Sequence, residues 1–185
     1  MKTSSVPVPQ PSRAAAGEAE DFLPSAYEDL RKIAAHHLGA LGPGQTLQPT
    51  ALVHEAWLRM VNADLRTWEN RVHFLATAAG VIRRVLIDHL RSKSRLKRGG
   101  GQLRLDIDGL EIAGTSADEK VLLIDEALEQ LQLEHPDKAR VVVLKFFGGL
   151  TDREVASELK VTERTVERHW AYAKAWLLRQ IREQK

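Results

Sequence analysis

Residues 151–176, TDREVASELKVTERTVERHWAYAKAW, constrain the fold most, because they predict one helix, a short turn and a second helix. Thr151 is placed to cap the first helix, and Glu154, three residues later, can return the hydrogen bond. Thr162 can cap the second helix. Lys160 stands where such turns often carry glycine, so a left-handed backbone is expected there at some cost. The pattern predicts a helix-turn-helix.

The second helix of this pattern has two contrasting faces. Apolar residues recur at helical spacing, at Val166, Trp170, Ala173, Leu177 and Ile181. The other face carries side chains that can reach base edges and phosphates, namely Arg164, Thr165, Glu167, Arg168, His169 and Lys174. The second helix of such a motif enters the major groove by its first turns, so we expect these residues to bind duplex DNA. The alternative is a helical hairpin with a solvated charged face.

The formal net charge is only +2, but the charges are segregated along the chain. Residues 66–104 contain ten lysines or arginines and two acids, whereas residues 105–118 contain four acids and no basic residue. A basic block of this kind indicates a nucleic-acid partner. The acidic segment is expected to be a soluble spacer or an imitation of phosphates.

Composition excludes several other classes of protein. The chain has no cysteine, which rules out disulfides, cysteine zinc sites and thiol catalysis. No apolar run approaches the length of a membrane span, and the amino end lacks the apolar core of a secretion signal. A cytoplasmic location is therefore expected.

Periodicity predicts an all-α protein with two small helical domains joined by a flexible linker. The expected helices cover about residues 22–38, 50–61, 70–95 and 121–133, followed by a buried helix over 141–146 that ends at Gly148 and Gly149 and then by the helix-turn-helix. The division is a disordered tail at 1–21, a first domain at 22–98, an acidic linker at 99–118 and a four-helix domain at 119–185.

The longest predicted helix has an apolar face and a basic face. Phe74, Ala78, Ile82, Val85 and His89 share the face expected to lie in a core. Arg84, Asp88, Arg91 and Arg95 share another face, and Asp88 is expected to pair with a neighbouring arginine of that stripe. The alternative is a solvated charged face, which the nearly single sign of the stripe disfavours.

Three segments together resemble the extracytoplasmic-function (ECF) sigma factors of bacterial RNA polymerase. They are LQPTALVHEAWLRMV, HFLATAAGVIRRVLIDHLRSKSRLKRGGG and LTDREVASELKVTERTVERHW. The words TLQPTALVHEA and RRxLxDH are similar to one branch of that family. The resemblance implies a sigma region 2 domain at 22–98 and a sigma region 4 domain at 119–185. It also implies promoter-specific transcription initiation with core RNA polymerase, and an anti-sigma factor or other regulator as a further possible partner.

The resemblance also implies two sites in the first domain. The polymerase-binding helix corresponds to Leu52, Val53, Glu55, Trp57, Leu58 and Arg59. The residues that bind and melt the downstream promoter element correspond to Arg66, Trp68, Asn70, Arg71, Arg83, Arg84, Asp88, Arg91 and Arg95. Periodicity favours outward positions for Leu52, Glu55 and Arg59, and Trp57 is alternatively a core residue. Trp68 is expected either to stack on an extruded base or to pack beneath its loop.

Two other functions compete with this interpretation. A conventional operator-binding regulator would use the helix-turn-helix without polymerase, often as a dimer, but the long basic helix in the other domain argues against it. An enzyme is disfavoured because the histidines are scattered and nucleophile motifs are absent. No cofactor or metal is expected, since Leu58 stands where a zinc-hydrolase helix beginning at His54 needs its second histidine.

Overall fold

In the computed structural model, described over residues 16–41, 47–62, 68–96 and 117–183, every regular element is helical. The helices are α1 (Ala16–Ala40), α2 (Pro49–Asn62), α3 (Arg71–Leu96), α4 (Ala117–Glu134), α5 (Pro136–Val142), α6 (Asp152–Leu159) and α7 (Glu163–Glu183). A π-helical turn, Val143–Phe147, follows α5. The all-α prediction is confirmed. None of the described helices is long and apolar enough to cross a bilayer.

The first three helices, which we call the amino-terminal half, pack pairwise around one apolar centre. Buried residues from each helix meet there, including Leu30 of α1, Met60 of α2 and both Phe74 and Ile82 of α3. The predicted inward positions Ala78 and Val85 are also buried, whereas His89 is only half-buried. One part of the α3 surface is used in this core, and the rest can contact the other helices of the chain.

The helices from α4 to α7, which we call the carboxyl-terminal half, pack with α7 against α4, α5 and α6. Val166, Ala173, Leu177 and Ile181 form the buried stripe of α7, as their spacing predicts. Trp170 is half-buried and packs against this core. Pro136 starts α5 at a position where a helix needs no amide donor.

The glycines after the π-helical turn have different structural roles. A Cβ on Gly148 would lie 2.6 Å from the carbonyl oxygen of Leu144 and 3.0 Å from the Cβ of Ala79 in α3. Gly149 has a φ of +61°, which side chains other than glycine rarely adopt. The predicted helix end at these two residues is confirmed.

The two halves are in contact along α3. That helix packs against the π-helical turn, α4 and α6, and the buried apolar residues of both halves form one continuous cluster. The predicted linker, residues 99–118, lies outside the described residues except for its last two positions, which begin α4. The predicted tail at 1–21 is described only from Ala16, where α1 begins. The proposed division into domains therefore stays a prediction.

Candidate nucleic-acid interface

The helix-turn-helix has the local geometry that its sequence predicts. The amide of Thr151 donates to Glu154 Oε2 at 2.8 Å, and the amide of Glu154 donates to Thr151 Oγ1 at 3.3 Å, which makes a capping box. The amide of Thr165 donates to Thr162 Oγ1 at 3.2 Å at the start of α7. Lys160 has φ 54° and ψ 44°, the expected left-handed conformation. The turn is thus fixed at both sides.

The first turns of α7 present the predicted reading residues to solvent. Arg164, Glu167 and Arg168 are exposed, and Thr165 and His169 are half-exposed beside them. Lys174 lies farther along, with its ammonium 5.6 Å from the centre of the Trp170 ring. These side chains form a mixed but mainly cationic surface that can contact phosphates and base edges.

His169 is the titratable member of this surface. Partial burial lowers the pKa of His169 below its ordinary value, and the nearby charges of Lys138 and Arg168 lower it further, against a smaller opposing effect of Asp137. The imidazole is therefore mainly neutral at pH 7 and can either donate or accept a hydrogen bond.

The basic face of α3 is divided between solvent and the carboxyl-terminal half. Arg84 is exposed, but the Arg83 side chain is only 14% exposed and its Nε donates to Asp125 Oδ1 of α4 at 2.7 Å. Arg91 Nη2 donates to the other oxygen of Asp125 at 3.2 Å. Arg95 lies in the last turn of α3. Two of the predicted DNA contacts are therefore held by one acid.

Asp88 does not pair as expected. Its carboxylate accepts a hydrogen bond from Arg59 Nη1 of α2 at 2.8 Å, and Arg59 also contacts Glu55 through its Nε at 3.2 Å. The prediction that Asp88 pairs within its own stripe is wrong, because α2 lies close enough to offer a cation from another helix. Asp88 thus connects the basic face of α3 with α2.

The segment before α3 contains both packing and charged residues. Trp68 is buried, its ring edge-on to Phe74 with centroids 4.9 Å apart, so its packing alternative describes this conformation. Asn70 accepts the amide of His73 and caps α3. Arg71 contacts Asp29 Oδ2 at 2.6 Å and Glu154 Oε1 at 2.7 Å. Arg66 lies outside the described residues.

The predicted polymerase-binding helix, α2, exposes a smaller set of residues than expected. Glu55 is exposed, Leu58 is 52% exposed, and the side chain of Arg59 is about one third exposed. The expectation that Leu52 points outward is wrong: it is fully buried with Val53, because it shares a stripe with Ala56 and Met60 at four-residue spacing. Trp57 is half-buried beside Trp68 and Phe74.

Three acids organise these surfaces, and sequence analysis singled out only one of them, Glu154, and only as a helix cap. Asp125 holds two arginines of α3, and Asp29 and Glu154 hold Arg71. The sequence could have identified Asp125 as a buried acid, since it lies on the same helical stripe as Val121 and Leu128, where an apolar residue is expected. An acid at such a position needs a buried cation.

Of three comparisons with known proteins, one gives a match. Neither a curated protein nor a solved structure shows significant similarity to the chain. No group of three or more potential metal ligands occurs in the described part of the chain. The model of the family described as ECF sigma factor matches residues 12–183, which includes α1 to α7. The chain therefore belongs to the ECF sigma factor family.

Proposed function

We propose that the chain recognises two promoter elements with its two halves, the upstream (−35) element with α7 and the downstream (−10) element with α3. The observation that carries this proposal is the exposed cationic face of α7, on a helix-turn-helix with ordered caps at both helices. A second basic face, on α3, belongs to the other half of the molecule. Two such surfaces suit a protein that contacts DNA at two places.

Family membership supplies the general role. The chain is an RNA polymerase sigma factor, acts in transcription initiation, and has core polymerase and promoter DNA as partners. We propose that it provides recognition without catalysis of its own, while nucleotide addition belongs to the polymerase.

The upstream element is proposed to be read as duplex DNA. Arg164 and Arg168 are one turn apart on α7, so both guanidinium groups can enter the same groove. A bidentate arginine contact with guanine discriminates against other bases by about 1 to 3 kcal/mol. Lys174, farther along the helix, is suited to a phosphate contact, which adds affinity without specificity.

The downstream element is proposed to be held as a single strand. Arg84 is exposed on α3 for a contact with the phosphate backbone, and Arg83, Arg91 and Arg95 are further arginines of the same helix. Unpairing a base costs on the order of a few kcal/mol, so several bases exceed what a few cations recover. We therefore assign melting to the complex with polymerase and assign capture of the opened strand to α3.

The polymerase contact is proposed to centre on Glu55 and Leu58 of α2. These two residues are exposed and lie three positions apart, which places them on one side of the helix. Arg59 adjoins them through its ion pair with Glu55. The buried Leu52 and Val53 support this surface from behind.

Transcription reconstituted with sigma-free bacterial core RNA polymerase tests the proposal. The wild-type chain is expected to form a stable complex and to initiate at discrete sites. Arg164→Ala combined with Arg168→Ala should leave polymerase binding intact and reduce initiation at least tenfold, because one lost bidentate contact already corresponds to about 1.4 kcal/mol. Arg179→Ala, an exposed arginine farther along α7, is the matched control.

The polymerase contact has its own pair of variants. Leu58→Ala combined with Glu55→Gln should weaken co-purification with core polymerase, whereas Leu133→Ala, at an 80% exposed leucine of α4, should not. Tight binding to duplex DNA with no polymerase association would favour the operator-binding regulator. Initiation unaffected by the α7 double variant would contradict the assignment of the upstream element to α7.

A further inference from the structure

The contact between the halves occupies two of the α3 arginines that the proposed function assigns to DNA. Asp125 of α4 is buried, with 3% of its side chain exposed, and accepts hydrogen bonds from both Arg83 and Arg91 of α3. Arg83 Nη2 also reaches the backbone carbonyl of Asp125 at 3.4 Å. Glu129, one turn later, lies 3.7 Å from Arg91. A carboxylate here takes the place that a phosphate would take on the same arginines.

A second ionic contact joins the halves near the other end of α3. Arg71 donates to Asp29 of α1 and to Glu154 of α6. The Glu154 side chain also accepts the backbone amide of Thr151 in the capping box. A third pair connects Lys93 with Asp118 at 2.7 Å. Asp118, Asp125 and Glu154 all belong to the carboxyl-terminal half, and each pairs with a cation of α3. The charge complementarity therefore extends along the helix.

Apolar packing closes the same junction. The ring of His37 in α1 lies edge-on to Phe146 with centroids 4.9 Å apart, and Phe147 is fully buried. Gly148 lies against Ala79 of α3, and Gly149 lies against Ile33 of α1. The contact is thus more than a few surface ion pairs, which alone contribute little.

We propose that the carboxyl-terminal half is an internal competitor of promoter DNA, with Asp125 masking Arg83 and Arg91 until the halves separate. This inference rests on the proposed function of α3. In the closed arrangement the apparent affinity for the downstream strand falls in proportion to the fraction of molecules that are open. Any partner that holds the halves apart, core polymerase above all, then raises the affinity of α3 for the strand.

Closure is measured first, without DNA. Because the chain has no cysteine, Gly80→Cys and Gln132→Cys provide two unique dye positions on the cleft between α3 and α4. A Cβ at Gly80 meets nothing within 4 Å. Energy transfer should show short separations in the free chain and longer ones after Asp125→Asn or on binding core polymerase. A long separation in the free chain, or no change in either case, overturns the proposal.

The functional consequence is measured by transcription with core polymerase. Asp125→Asn should lower the chain concentration needed for half-maximal transcription at least about fivefold. Glu126→Gln, an exposed neighbour on α4, removes a carboxylate charge outside the contact and is the matched control. Circular dichroism verifies that both variants remain helical. Equal concentration dependence of Asp125→Asn and Glu126→Gln overturns the proposal.

A cleavable cross-link between the halves distinguishes a failure of this inference from a failure of the proposed function. Joining the two introduced thiols of the Gly80→Cys, Gln132→Cys variant with a disulfide-containing bismaleimide should abolish initiation, and a reductant that cleaves the linker should restore it. Full initiation by the locked chain overturns the internal competition. Absence of polymerase-dependent initiation even in the wild-type and cleaved chains instead refutes the proposed function, while the dye separation still decides whether Asp125 holds the halves closed.

Discussion

Arg164 and Arg168 of α7 have different surroundings from Arg83 and Arg91 of α3, although all four are assigned to DNA. Arg164 and Arg168 extend into solvent from α7. Arg83 and Arg91 of α3 are held by Asp125, an acid from the other half of the chain. A cation in water is available to a phosphate at once, whereas a cation in a buried pair must first leave its partner. The two surfaces therefore differ in when they can bind.

Two adjacent arginines on α3 provide the sharpest test of this difference. Arg83→Met keeps an apolar stem but leaves the buried Asp125 with Arg91 alone, so we expect a loss of about 3 kcal/mol in the free energy of unfolding. Arg84→Met, at an exposed neighbour, should change it by less than about 0.5 kcal/mol. Urea denaturation followed by circular dichroism measures both. Equal effects would mean that Asp125 contributes nothing to the contact between the halves.

The second largest effect is expected from pH at the apolar part of the same contact. Burial lowers the pKa of His37 from 6.5 to about 4, with a further lowering from His36 and a smaller opposing effect of the Phe146 backbone. The folded state therefore favours the neutral ring, and the unfolded chain binds the proton first. Stability from this group is complete above about pH 6.5 and is lost as the pH falls toward 4. The total change is up to about 3 kcal/mol.

Denaturation series at several pH values test the assignment to His37. His37→Phe should flatten the stability profile between pH 6.5 and 4, because the replacement ring carries no proton. His36→Phe alters an exposed neighbour and should leave most of the slope in place. A slope that persists unchanged in His37→Phe would assign the acid sensitivity to other groups.

The contrast between local interactions and contacts across the two halves also explains which features the sequence could predict. The helices, the capping box, the left-handed Lys160 and the buried stripe of α7 all follow from local spacing. The contact of Arg83 with Asp125 joins residues 42 positions apart, so local spacing marks Asp125 as a buried acid but does not identify its partner. Leu52 was assigned to the wrong side because the buried stripe of α2 is wider than the narrow face chosen for it. Local geometry was predictable, whereas pairing between distant helices was not.

Glu154 takes part both in a local helix cap and in a contact between distant helices, so variants at this residue can distinguish the two contributions. Burial opposes ionisation, but hydrogen bonds from Thr151 and Arg71 leave the pKa of Glu154 below its ordinary value. Thr151→Ala removes only the cap and should cost about 1 kcal/mol. Glu154→Gln weakens the cap and the contact with Arg71 together, so its cost should be larger than that of Thr151→Ala by several tenths of a kcal/mol.

A double-variant cycle identifies the source of the additional cost. If Glu154 contributes to the contact between the halves, Arg71→Met should make the effect of Glu154→Gln smaller and leave the effect of Thr151→Ala unchanged. Thermal denaturation of the four combinations supplies the coupling energy. A coupling energy of zero between Arg71 and Glu154 would confine Glu154 to the cap.

The smallest expected change in the free energy of unfolding comes from the turn of the helix-turn-helix. This change depends only on local backbone conformation and not on the contact between the halves. Lys160 adopts φ 54°, a conformation that glycine takes without steric cost. Lys160→Gly should therefore stabilise the chain by about 0.5 to 1 kcal/mol, since the relief of strain exceeds the added freedom of the unfolded chain. Ser157→Gly, in the adjoining helix, should instead destabilise it by a similar amount. Opposite signs for the two glycines would show that α6 ends because of its backbone conformation, and equal signs would contradict this.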